Sequence, residues 1–84
     1  MITLNEFIDY INFDIEGAKI TKKRFINWLL LEGIITQPEL SYQVEPLFES
    51  LLNIEDGVIF ITDEGSDYFF EEFKKGAIDD LFYF

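Results

Sequence analysis

Pairs of adjacent carboxylates are the residues of this chain whose type and spacing come closest to a chemical site: Glu55-Asp56, Glu71-Glu72 and Asp79-Asp80. Paired carboxylates serve in acid–base catalysis and as oxygen ligands for Mg²⁺ or Ca²⁺. None of these pairs has the spacing of an EF-hand loop or stands beside a glycine-rich phosphate loop. We therefore attribute them to the acidic composition, and we predict neither an enzyme nor a metal or cofactor site.

Cysteine and histidine are both absent from the 84 residues. The chain therefore lacks disulfides and thiolate ligands, which fits a reducing compartment. The lack of histidine removes the usual general base, the usual metal ligand and the usual pH switch near neutrality. Met1 to Glu6 carries no basic segment and no long apolar stretch, so a cytoplasmic protein without a membrane span is the default expectation.

Charge restricts the choice of partner most strongly. The chain has 17 acidic and 6 basic residues, a net charge of −11 at pH 7. Its cations lie in two clusters, Lys19 to Arg24 and Lys74-Lys75, and Phe25 to Phe73 contains 11 acidic residues and no basic one. Nucleic acids and anionic membranes both bind cationic proteins. We therefore expect a basic protein surface as the partner, with no direct nucleic-acid binding and no membrane association.

We expect seven acidic residues to contact this partner. They stand at the turn of a predicted hairpin and along the predicted last helix: Glu55, Asp56, Asp63, Glu64, Asp67, Glu71 and Glu72. A DNA duplex carries one charge per ~1.7 Å, so the net charge corresponds to roughly 18 Å of duplex. Such a surface is a candidate DNA mimic. The alternative is a solvated surface whose charge only keeps the protein soluble.

Two helices are predicted in the first part of the chain. Thr3 and Glu6 have the spacing of a capping box, ahead of a helix from Leu4 to about Asn12. Thr21 is a suitable N-cap for a second helix from Lys22 to about Glu32. The apolar residues of both segments recur at helical spacing, so each helix is expected to bury one face.

A β-hairpin is predicted from Asp56-Gly57, which separates two apolar segments, Leu51 to Glu55 and Val58 to Thr62. A short helix is expected to begin at Pro46 and to end near Glu49 or Ser50. A last helix is expected to follow the hairpin and to extend through Lys75, where Gly76 stops it.

These elements predict one α+β domain over residues 1–84, with a tail of uncertain structure from residue 76. The order of helix, helix, short helix, hairpin and helix is the outline of a small winged helix-turn-helix-like domain with three to four helices. The predicted core consists of Leu4, Phe7, Ile8, Ile11, Phe25, Trp28, Leu29, Leu47, Phe48, Leu51, Ile59, Ile61, Phe69 and Phe73.

Four stretches carry a resemblance to a known family. Thr3 to Ile11 is similar to an opening helix of the form T-x-x-E-F-A-K, and Lys23 to Ile35 is similar to N-K-L-F-x-W-L-R followed by E-N-G-Y-L. Tyr42-Gln43 falls at a P-Y-Q position, and Ile61 to Phe69 is similar to V-T-P-K-G-Q-E-Y-F. Together they resemble the KilAC domain, the C-terminal domain of many phage antirepressors.

The resemblance implies a winged-helix-like fold and a phage or mobile-element setting, hence a host cytoplasm. Asp63-Glu64-Gly65 stands where the family tends to have P-K-G, and Leu30 stands where an arginine often occurs. With these acidic departures, the resemblance implies an inhibitor or antirepressor-like factor that occupies the basic surface of a nucleic-acid-binding protein. An anti-CRISPR protein is one form of this hypothesis.

Two other functions stay open. A homo-oligomerising structural or regulatory domain would form a homodimer through the apolar tail, Leu81, Phe82, Tyr83 and Phe84. A DNA-binding winged helix would instead use Lys22, Lys23 and Arg24, although cations in a first turn oppose the helix dipole. The nearby Asp14 and Glu16 are expected to balance this basic cluster.

Overall fold

Three α-helices and five short β-strands form an α+β domain in a computed structural model, which describes residues 1–77 of the chain. Its elements are β1 (Ile2–Thr3), α1 (Leu4–Asp14), α2 (Lys22–Leu31), β2 (Ile35–Thr36), β3 (Gln43–Val44), β4 (Leu52–Glu55), β5 (Val58–Ile61) and α3 (Asp63–Glu72). A 3₁₀ turn (Pro46–Phe48) precedes β4, and a π-type turn (Phe73–Ala77) follows α3. The predicted fold class is confirmed.

Each α-helix begins after a threonine. The Thr3 hydroxyl accepts a hydrogen bond from the Glu6 backbone N–H at 3.2 Å, and the Glu6 carboxylate accepts from the Thr3 backbone N–H at 3.0 Å. This is the predicted capping box, and its hydrogen bonds lower the pKa of Glu6 below the usual value. Thr21 and Thr62 cap α2 and α3, each accepting from the backbone N–H three residues onward.

The hairpin of β4 and β5 is closed by a two-residue turn. Asp56 and Gly57 both have positive φ, 51° and 78°, as the type I′ turn of an Asp-Gly hairpin requires. β1 adds a third antiparallel strand, in the order β1-β5-β4, and β2 pairs with β3 in a second small sheet. A hairpin beside three helices is consistent with a small winged-helix-like domain.

The helices pack on one another through aromatic rings. Phe25 of α2 makes edge-to-face contacts with Phe7 of α1 and Phe69 of α3, at centroid distances of 6.0 and 5.7 Å. Trp28 packs on Phe69 at 5.9 Å and on Phe73 at 5.4 Å. These five side chains are almost fully buried, so they fix the position of α2 relative to α3.

One predicted core residue is wrong. Leu47 is 90% exposed, because Pro46–Phe48 is a three-residue 3₁₀ turn rather than a longer α-helix with one apolar face. Phe48 is partly buried against the core, and the other predicted core residues are buried. The structure adds several buried residues that the predicted core did not include: Ala18, Ile20, Ile34, Ile35 and Leu52.

Candidate functional site

The solvent side of α3 carries a row of carboxylates. Gly65 and Phe69 are buried on one side of this helix. Because successive residues are rotated by about 100°, the opposite side presents Asp63, Glu64, Asp67 and Glu71. All four residues are exposed. We call these four residues the acidic face.

The acidic face has no neutralising lysine or arginine among the described residues. Within residues 1–77, the ion pair that the structure shows joins the N-terminal amine of Met1 to Asp63 Oδ1 at 3.6 Å. No lysine or arginine in this range lies within 4.0 Å of a carboxylate oxygen. Lys74 is instead placed over the ring of Phe70, with its Nζ 4.6 Å from the ring centroid. The face therefore projects negative potential into solvent.

The other two predicted contact residues, Glu55 and Asp56, lie elsewhere. Glu55 to Val58 form the hairpin tip. This tip lies at the opposite end of the β4–β5 pairing from the start of α3. The three residue steps from one end of β5 to the other correspond to about 10 Å along the strand. The predicted set of seven carboxylates is thus divided between the hairpin tip and α3.

The hairpin tip lies beside the start of α2. Gly57 and Val58 line a shallow groove together with Lys22. Lys22 and Lys23 are exposed, and we call Lys22, Lys23 and Arg24 the basic turn. The expected balancing of this turn by Asp14 and Glu16 is not seen as ion pairs among the described residues.

A cleft of about 390 Å³ lies between the C-terminal ends of α2 and α3. Its lining residues are Trp28, Glu32, Ile34, Phe48, Tyr68, Glu72, Lys75 and Gly76. Glu72, one of the predicted contact residues, lies here and not on the acidic face. Burial raises the pKa of Tyr68, and the charges of Glu72 and Glu32 raise that pKa further. The charges of Glu32 and Glu72 therefore both act on the Tyr68 phenol.

Trp28, which lines this cleft, carries an unpaired polar group. Its side chain is 3% exposed, and its indole Nε1–H is buried without a hydrogen-bond acceptor among the described residues. A buried donor without a partner is uncommon in native proteins and calls for an explanation. The cleft therefore presents two carboxylates and a partly exposed phenol, whereas the unpaired indole donor lies below its surface.

Sequence reasoning did not identify Glu32, Tyr68 and Trp28 as site residues. A usable signal was present for Glu32 and Glu72, because both stand at the C-terminal end of a helix, where a carboxylate opposes the helix dipole. The sequence did not indicate that these two helix ends meet.

The predicted oligomer contact, Leu81, Phe82, Tyr83 and Phe84, lies outside the described residues, as does the Asp79-Asp80 pair. Within residues 1–77, no group of three acidic side chains is close enough together to hold a metal ion. None of the helices in this range has the length and hydropathy that a membrane-spanning segment needs.

Comparison with known proteins identifies no relative: no protein-family model, no curated protein and no solved structure matches this chain.

Proposed function

We propose that this protein is a binding module whose acidic face meets the basic surface of a nucleic-acid-binding protein. The observation that carries the proposal is the row of four exposed carboxylates on α3, with no lysine or arginine within 4.0 Å among residues 1–77. A surface of one sign speeds encounter with an oppositely charged partner and disfavours phosphate.

Helix stability does not account for the whole acidic face. Asp63 and Glu64 stand in the first turn of α3, where the helix dipole favours carboxylates. Asp67 and Glu71 follow in later turns, and Glu71 stands near the C-terminal end, where the dipole disfavours a negative charge. Because the later carboxylates do not help the helix, binding is the better reason for them.

The spacing of the acidic face supports mimicry of a nucleic-acid strand. Asp63 and Glu71 are eight residues apart, which corresponds to about 12 Å along a helix. Four carboxylates over this length, of which Asp63 is paired with the Met1 amine, leave three charges, about one per 4 Å, of the same order as the ~3.4 Å per phosphate of one DNA strand. Together with the resemblance to phage antirepressors, this favours an inhibitor or antirepressor-like factor, with an anti-CRISPR protein as one form.

Salt dependence tests this proposal. The protein would first capture its partner from a bacterial host lysate, and the association rate with the purified partner would then be measured from about 0.05 to 0.5 M salt. We expect this rate to fall steeply as salt rises, and the D67N/E71Q variant to associate about tenfold more slowly at low salt. The K22Q/K23Q variant is the control, which should not be slower. Association that is indifferent to salt, or slowed only by the lysine substitutions, would contradict the proposal.

A second candidate is direct DNA binding, favoured by one observation. Lys22 and Lys23 of the basic turn have no carboxylate within 4.0 Å among the described residues, and Lys22 shares a groove with the hairpin tip. Glu55 and Asp56, at that same tip, would repel phosphate. A gel-shift assay at low salt separates the candidates, because tight binding to a duplex that is lost in K22Q/K23Q would favour DNA binding.

A further inference from the structure

We propose that the cleft between the ends of α2 and α3 binds an arginine side chain of the basic partner. This inference rests on the proposed function and names the side chain that anchors the partner beside the acidic face. The cleft volume of about 390 Å³ exceeds what one side chain fills, so it leaves room for the main chain next to the arginine.

Charge complementarity selects a cation for this cleft. Glu32 and Glu72 both line it, and each stands at the C-terminal end of a helix, where the dipole adds further negative potential. A cation placed between these carboxylates relieves both the repulsion between them and their opposition to the helix dipoles. This arrangement also explains why two carboxylates occupy positions that do not help their own helices.

Arginine fits the cleft better than lysine. Its planar guanidinium donates two parallel hydrogen bonds to a carboxylate, and it stacks on aromatic rings. Tyr68 lies on the wall of the cleft with 38% of its surface exposed, so part of its ring is open to such a contact. A lysine ammonium would keep the charge attraction but lose the paired hydrogen bonds.

The indole of Trp28 lines the cleft, but its Nε1–H lies below the surface, where a ligand does not reach it. Trp28 therefore serves as a reporter of the cleft and not as a contact of the arginine.

Lys75 is the resident cation of the cleft. It lines the cavity, yet it lies beyond 4.0 Å from either carboxylate. An incoming guanidinium would meet its repulsion, so Lys75→Gln is expected to strengthen arginine binding about threefold at low salt.

The chain contains a single tryptophan, so one indole resonance in a ¹H–¹⁵N NMR spectrum reports on the cleft. The probe is a short peptide, acetyl-Gly-Arg-Gly-amide, with citrulline in place of arginine as the uncharged control. We expect the arginine peptide to shift the Trp28 indole resonance, because Trp28 lines the cleft, and the citrulline peptide to leave it in place. Glu32→Gln and Glu72→Gln should each weaken this binding about tenfold, whereas Glu39→Gln, an exposed residue outside both the cleft and the acidic face, should not.

Other outcomes overturn the inference in different ways. If the arginine peptide shifts backbone amides from Asp63 to Glu71 but not the indole, the acidic face binds basic segments, the proposed function survives and the cleft assignment fails. If no resonance responds, this inference fails, and the salt-dependence experiment decides the proposed function on its own. Nuclear Overhauser contacts between the Trp28 indole proton and residues 78–84 in the free protein would assign the cleft to the chain's own end and overturn the inference.

Discussion

The basic turn of α2 and the acidic face of α3 are two charged helix surfaces of the same small domain, and their charges relate differently to the helix dipoles. Lys22, Lys23 and Arg24 fill the first turn of α2, where positive charge is disfavoured. Asp63 and Glu64 fill the first turn of α3, where negative charge is favoured. The beginning of α3 thus has a structural reason for its charge, and the beginning of α2 does not.

The C-terminal ends of α2 and α3, in contrast to their first turns, carry charges of the same sign. Glu32 caps α2 and Glu72 ends α3, so both ends carry a carboxylate that the dipole disfavours. Both carboxylates line the cleft. Glu32 and Glu72, two carboxylates that oppose their own helix dipoles, thus meet where we place the anchor of the partner, whereas the opposing charges of the basic turn and of Glu71 lie elsewhere.

The largest expected effect comes from the contact that holds α3 against the hairpin. Gly65 lies so close to the backbone of Leu51 that an added Cβ would collide with the Leu51 carbonyl oxygen. Helix propensity alone predicts that Gly65→Ala stabilises the protein by about 1 kcal/mol, but the collision should destabilise it by about 3 kcal/mol. Urea denaturation measures the sign. Ser66→Ala is the control and should change stability by less than about 0.5 kcal/mol. A stabilising Gly65→Ala would contradict this packing of α3.

The threonine caps of α2 and α3 differ in the number of hydrogen bonds that each hydroxyl makes. The Thr62 hydroxyl accepts from the Gly65 N–H at 2.9 Å and donates to the Ser50 carbonyl oxygen at 2.6 Å, whereas the Thr21 hydroxyl accepts from Arg24 N–H at 3.2 Å. Thr62→Ala should therefore cost about 2 kcal/mol and Thr21→Ala about 1 kcal/mol. Thermal denaturation of both variants checks the order. Equal losses would show that the bond from Thr62 to Ser50 contributes nothing.

Neutralising single carboxylates tests which charges stabilise α3 and which oppose its dipole. Glu71→Gln and Glu72→Gln remove charges that oppose the α3 dipole, so each should raise the free energy of unfolding by roughly 0.3 to 1 kcal/mol at low salt. Glu64→Gln should lower it by a similar amount, because Glu64 stands in the first turn. Chemical denaturation at low and high salt checks both signs, and the differences should shrink at high salt. A loss of stability in Glu71→Gln would mean that this carboxylate has a structural role.

The smallest effect concerns Tyr68 at alkaline pH. Its pKa is raised from the ordinary 10.0 by burial, then by Glu72 and Glu32. The neutral phenol is therefore favoured in the folded state, and this stabilisation is present below pH 10 and is lost as pH rises through the folded pKa. Glu72→Gln removes one cause, so the pKa of Tyr68 should fall towards 10.0. NMR titration of the Tyr68 ring measures this, and an unchanged pKa would place Glu72 away from the phenol.

The elements with strong local signals could be predicted from the sequence. Thr3 and Glu6 specify a capping box without any tertiary contact, and Asp56-Gly57 specifies the hairpin because both residues accept positive φ. The strand Ile2–Thr3 could not be predicted, since two residues show no period and its pairing with β5 joins distant parts of the chain. Leu47 was wrongly predicted in the core, because a helical spacing of apolar residues was present but the segment forms only a three-residue 3₁₀ turn.

The candidate site was only partly predictable. The sequence identified the acidic residues of α3, but it grouped them with Glu55 and Asp56, which the hairpin carries away from them. The cleft depends on how the aromatic core sets α2 against α3, and a one-dimensional pattern does not contain that angle. The unused donor of Trp28 is likewise visible only when its surroundings are known.

Competition between this protein and nucleic acid for the captured partner decides whether the acidic face occupies the nucleic-acid site. The partner would be immobilised, and binding of this protein would be measured while a DNA or RNA duplex that the partner recognises is added at rising concentration. We expect mutually exclusive binding, with the duplex displacing this protein and the D67N/E71Q variant displaced more easily. Simultaneous binding of protein and duplex to the partner, or direct binding of the duplex to this protein, would contradict it.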